Sequence, residues 1–261
     1  MKECDKNQMR NPKTGRCVSR QGKIGRSVCD RIGMMQRIGT CWFNSVFNSF
    51  LLSERCYSFF LNKFDELSQE DKNKIKKQKT SNTCPTKLKK YDFYYYFYKY
   101  HHTKEISPHN AQQLINKLSI RSPEWEQERP GKHPGYALEK ILPIIFNSEE
   151  YIYTYENYVG GRNYTSKIKF LFFAARWKIM KARRKFILDH AVIIVSCDGI
   201  SHAISGYTCN NEYYIYDSNS TDTYKIDWRV RENIKKIMIV THPSVFYNPT
   251  IYYAYICFIR K

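Results

Sequence analysis

Cys41 sits in an unusual setting for a cysteine. In the stretch MQRIGTCWFNSVFNSFLLS (35–53) it follows Gly39 and Thr40, precedes Trp42 and comes five residues after Gln36. A thiol that only fills a core needs neither a glycine beside it nor a polar approach segment. A nucleophile needs both. Gly39, lacking a Cβ, lets a substrate backbone come close, and a helix start stabilises a thiolate through its unpaired N–H groups and macrodipole. The base that such a nucleophile requires is found far downstream, in GISHAISGYTCNNEYYIYDSN (199–219). That segment reads as a hairpin turning at Asn210-Asn211, which sets Cys209 opposite Glu212 and Ile204 opposite Asp217. His202 and Asp217 then share one face as diagonal neighbours, ~7–8 Å apart at Cα. The chemistry these residues could do is acyl transfer. Cys41 attacks a carbonyl, His202 relays the proton, and Asp217 fixes the tautomer of the ring. The Cys41 N–H and the Gln36 amide would hold the oxyanion. If the turn is longer than two residues, Asn219 takes the place of Asp217.

These residues need elements to position them. Phe43, Val46, Phe47, Phe50 and Leu51 recur at three- and four-residue spacing, which predicts a buried helical face starting after Thr40 as cap and ending near Ser53. A second helix is expected over 59–67, and further short ones over 110–118 and 136–146. The charged, aperiodic residues 68–90 are expected as an exposed loop. KIKFLFFAARWKIMKARRKFIL (167–188) reads as a helix, either packed in the core with a basic edge or meeting an anionic partner on the surface. The aromatic run YDFYYYFYKY (91–100) reads as alternating strand packing. His101-His102, which follow it, have no second ligand cluster nearby, so no metal centre is expected. In the last third AVIIVSC, HAISGYTC, EYYIYDSN and TYKIDW are short strands between turn signals, and IKKIMIVT and IYYAYICFIR are read in the same style. Helices followed by antiparallel strands indicate an α+β fold.

The 261 residues carry a net charge of +19 with 42% hydrophobic and 16% aromatic residues. This is a folded chain, not a disordered one. Its charge suits contact with nucleic acid or another acidic surface, although the positive residues are spread along the sequence and not gathered in one tail. No run approaches the ~18 apolar residues of a membrane span, and no secretory signal opens the chain. A soluble protein made in the cytosol is expected, without membrane contact. The nine cysteines include no CxxC pair, so neither a disulfide framework nor a zinc site is expected, and most should be reduced core thiols.

Two segments carry a resemblance. QRIGTCWFNSVFNSFL (36–51), through Gly39, Thr40, Cys41, Trp42, Asn44 and Ser45, resembles the cysteine box of papain-like peptidases and especially of the ubiquitin-specific proteases. His202 through Tyr214 to Asp217 resembles their histidine box. The two boxes lie about 160 residues apart, close to the ~130–150 typical of papain-type enzymes. The resemblance implies a papain-like α+β domain over 31–261 and a thiol-dependent isopeptidase acting on ubiquitin or a ubiquitin-like modifier. It implies Cys41, His202, Asp217 and Gln36 at the site, no cofactor and no metal. A viral polyprotein-processing peptidase shares the same site, and an inactive basic nucleic-acid-binding virion protein is the rival from another class. Departures include Ser201-His202-Ala203 where the ubiquitin-specific family has Gly-His-Tyr, Gln36 where it usually has Asn, and no zinc-binding cysteine pairs. Residues 1–30, with Cys4, Asn11–Cys17 and Gly22–Gly25, resemble a two-cysteine adaptor module fused to enzymes of large DNA viruses; a disordered basic arm is the other reading. The implied setting is host cytoplasm or virion.

Overall fold

The computed structural model describes residues 8–10, 17–19, 33, 40–77, 93, 133–155, 166–176, 185–220 and 222–261. The chain is a mixed α+β protein. In order, its elements are β1 (Gln8–Arg10), β2 (Cys17–Ser19), α1 (Cys41–Leu52), α2 (Glu54–Asp65), α3 (Gln69–Lys77), α4 (Pro134–Ile145), β3 (Tyr151–Thr154), β4 (Phe170–Arg176), β5 (Phe186–Cys197), β6 (Ile200–Cys209), β7 (Glu212–Asp217), β8 (Asp222–Lys225), α5 (Arg231–Thr241) and β9 (Thr250–Arg260). Strands β1 and β2 pair with each other. The other seven form one sheet in the order β3-β4-β9-β5-β6-β7-β8, antiparallel except for the parallel β3–β4 pair.

Helix α1 is the hub. Its predicted apolar face is sealed, with Phe43, Val46, Phe47, Phe50 and Leu51 at 0% exposure. The opposite face, which the sequence left polar, is buried too. Sheet hydroxyls meet it there: Ser205 Oγ donates to the Ser45 carbonyl at 2.9 Å, and Ser49 Oγ lies 2.6 Å from the Tyr255 hydroxyl. Such bonds offset the burial of polar groups on this face, although the Asn44 side-chain amide is buried without a hydrogen-bond partner. Alternation along β5 divides the core between the two sides of the sheet. Val192 and Ile194 pack under α1 and α4, whereas Ile193 and Val195 join Trp228, Ile234 and Met238 on the other side. Trp228 seats directly on β6, where a Cβ on Gly206 would come within 2.9 Å of the indole.

Several elements differ from expectation. Helix α2 starts at Glu54, not at 59, because Ser53 ends α1 and also caps α2, its Oγ accepting from the Cys56 N–H at 3.2 Å. Within 68–90 a helix forms over Gln69–Lys77, with Ser68 Oγ accepting from the Asp71 N–H and Glu70 and Asp71 in its first turn; residues 78–90 lie outside the described residues. Within 167–188, expected as a helix, β4 and the start of β5 form instead at either end, and residues 177–184 lie outside the described residues. The run FLFFAAR places Phe170 and Phe172 on one face and Leu171 and Phe173 on the other, a two-residue period that aromatic bulk favours. Conversely, IKKIMIVT is helical. Ile234 and Met238, four apart, are the buried stripe of α5, and its β-branched residues follow this packing against their own propensity. Phe93 is helical and buried against Phe47, Phe50 and Phe60. The rest of the aromatic run, His101-His102 and the helix expected over 110–118 lie outside the described residues. No helix among the described residues is long and apolar enough to cross a membrane. Cys41, Cys56, Cys197 and Cys257 are free thiols, but Cys209 is disulfide-bonded.

Candidate active site

Cys41 is the first residue of α1. Thr40 holds the cap position with its backbone, its carbonyl accepting from the Asn44 N–H at 2.9 Å, while its side chain makes no capping bond. The chain approaching the helix is pinned at Gly33, whose carbonyl accepts the Tyr216 hydroxyl at 2.9 Å. A Cβ at Gly33 would fall 2.5 Å from that ring. Gln36 lies outside the described residues. As the first helical residue, Cys41 has no intrahelical acceptor for its N–H.

The hairpin forms as its turn residues dictate. Asn210 and Asn211 take positive φ values of 53° and 62°, the two-residue turn that matches strand twist, and Cys209 faces Glu212. That register brings the diagonal pair together, with His202 Nε2 2.8 Å from Asp217 Oδ1. The Asn219 backbone N–H donates to the same oxygen at 2.8 Å, so Asn219 supports Asp217 and does not replace it. With Nε2 engaged by the carboxylate, Nδ1 is the ring nitrogen left for the sulfur.

The charges follow from these contacts. Burial disfavours a thiolate at Cys41, but the hydrogen bond and charge of His202, helped by the backbone at Ala203 and Trp42, outweigh it and lower the thiol below its ordinary value. Burial likewise opposes an imidazolium at His202, yet the bonds and charges of Asp217 and Cys41 push it up to about 9. Asp217 is held below the usual carboxylate range against its own burial, chiefly by His202. Each group thus favours the charged form of the other, thiolate beside imidazolium. Asp217→Asn tests the carboxylate's share. The imidazolium is kept until pH rises through about 9. In the variant the alkaline loss should come at lower pH, with kcat/KM down about tenfold to hundredfold, each pKa unit being a tenfold effect. A pH–rate profile of both proteins checks this.

A second grouping of the same residue types has the opposite electrostatics. Strand β5 carries one extra residue between Leu188, opposite Phe258, and His190, opposite Cys257. This bulge leaves Asp189 and His190 both sealed at 0% exposure. Asp189 Oδ2 accepts from Ser53 Oγ at 2.5 Å and Cys56 Sγ at 3.3 Å, and lies 2.8 Å from His190 Nδ1. Burial and the Asp189 charge push the Cys56 thiol well up. Cys56, Asp189 and His190 offer ligand atoms within 4.8 Å of one another. With that oxygen already holding three partners and no side chain reaching solvent, the grouping is a structural clasp tying the α1–α2 junction to the sheet.

Sequence reasoning missed His242. It caps the C-terminus of α5, and its Nε2 lies 3.6 Å from Asp217 Oδ2. Reading IKKIMIVT as a strand removed the helix end that delivers it. Beside the site, Ala203 faces Ile194 and Ile194 faces Tyr252, on which His133 stacks at 6.4 Å. The N-termini of α1 and α4 therefore open at the same end of the sheet. A recess of about 220 Å³ there is lined by His133, Tyr136, Glu139, Tyr153 and Tyr155. No protein-family model matches this sequence, and no curated protein matches it as a relative.

Proposed function

We propose that this chain is a thiol peptidase on a papain-like fold, hydrolysing the bond after the C-terminus of ubiquitin or a ubiquitin-like modifier. The observation that carries the peptidase reading is the lowered Cys41 thiol beside His202, itself raised to about 9 and bonded to Asp217. Cys41 Sγ adds to the carbonyl carbon, and the oxyanion sits at the Cys41 N–H, with the Gln36 amide as the expected second donor. As the C–N bond breaks, His202 gives its proton to the leaving amine. Water then adds to the thioester, its proton passing to His202, and the C–S bond breaks to restore the thiolate. The modifier rests on the resemblance of Gly39–Ser45 to the ubiquitin-specific cysteine box, and the recess by α4 offers an extended tail a place to lie. Such an enzyme would work in host cytoplasm or virion of a large DNA virus.

A ubiquitin probe carrying a C-terminal electrophile tests this. Wild type should form an adduct at Cys41, and Cys41→Ala should form none. Labelling by short peptide electrophiles alone would point to polyprotein processing. The charge of +19 favours one rival: a chain inert to every probe that binds DNA with a steep salt dependence would be a basic virion protein on an inactive scaffold.

A further inference from the structure

Asp217 is satisfied on one side only. Its Oδ1 is bonded by His202 and by the Asn219 N–H, whereas Oδ2 is buried without a hydrogen-bond partner. A carboxylate oxygen stripped of water and left so costs free energy, and lets the group swing. The side chain facing Oδ2 is His242, its Nε2 at 3.6 Å, close but beyond hydrogen-bond length. His242 is held in that place. Thr241 Oγ1 lies 2.8 Å from its Nδ1 and itself donates to the Ile237 carbonyl, so Nε2 is the nitrogen turned to Asp217. Phe246 packs against its ring, and the His202 ring lies 6.2 Å away.

We propose that His242 is a positioning residue: from the end of α5 it holds the second oxygen of Asp217, so that the first stays aligned on His202. This rests on the reading of Cys41, His202 and Asp217 as a nucleophile with its base and orienter. His242 touches neither sulfur nor substrate, and it acts through the carboxylate alone. The site therefore spans four elements, and α5 belongs to it as well as to the core.

A double-mutant cycle on the full chain tests this, read as the rate at which iodoacetamide alkylates the Cys41 peptide at neutral pH. Asp217→Asn should slow alkylation about tenfold, and His242→Ala about threefold to tenfold. The double variant should be no slower than Asp217→Asn within about twofold, because residues acting through one another are not additive. His242→Gln, which keeps a donor, should lose less than His242→Ala, and His242→Phe, which keeps the ring's bulk without a nitrogen, carries the cycle if His242→Ala fails to fold. Multiplied losses in the double variant, or wild-type alkylation in His242→Ala, would overturn the proposal. The ubiquitin probe separates this from the function. A chain that shows the cycle but ignores the probe loses its substrate and keeps His242 in its role.

Discussion

His202→Ala is expected to lower kcat/KM by at least about a thousandfold, as loss of the base does in nucleophile–base pairs that act as a unit. Two effects combine. The imidazole no longer supplies the leaving amine with a proton, and the thiol loses the neighbour that lowers it. Burial, the largest influence on Cys41, is then opposed only by the backbone at Ala203 and Trp42 and favours the neutral thiol. The fold should survive: Asp217 keeps the Asn219 N–H and the His242 ring at 3.6 Å, and Ala203 keeps its place in the β5–β6 ladder. Circular dichroism matching wild type, together with lost turnover, checks this. Retained turnover would remove His202 from the chemistry.

The largest stability effect is expected at Asp189, far from that chemistry in role. Asp189→Ala removes the acceptor of Ser53, Cys56 and His190 in a place that water does not reach. Each buried donor left without its acceptor costs about 1–3 kcal/mol, and three lose one here, although Cys56 Sγ stays 3.6 Å from His190 Nδ1. A chemical denaturation midpoint measures it. Cys56→Ala should cost far less, since a small apolar group suits the space and Asp189 keeps Ser53 and His190. If the two variants were equally stable, the clasp would not be holding the α1–α2 junction.

These two clusters show what was legible in the sequence. The Cys41 site was, because each part has a local signature: a glycine and a helix start for the thiol, and a paired asparagine turn that fixes which residues meet across β6 and β7. A period of two carries that register without error from Cys209 to His202. The Asp189 clasp was not, because a bulge breaks the period and no residue type announces it. Apolar stretches failed in both directions for one reason. KFLFF and IKKIMIVT hold similar residues, and the surface each must cover, two faces of the sheet or one stripe beneath it, decides strand or helix. His242 was invisible for the same cause, since its place depends on α5 ending beside Asp217.

The central claim is that Cys41 is a thiolate held by His202. The rate of Cys41 alkylation by iodoacetamide, followed from pH 5 to 10 in wild type and His202→Ala, tests it most directly. The wild-type thiol should react below the ordinary cysteine range of about 8.5, and the variant should react only at or above it. A wild-type profile rising at the ordinary value, unchanged by His202→Ala, would contradict the ion pair and the enzyme built on it.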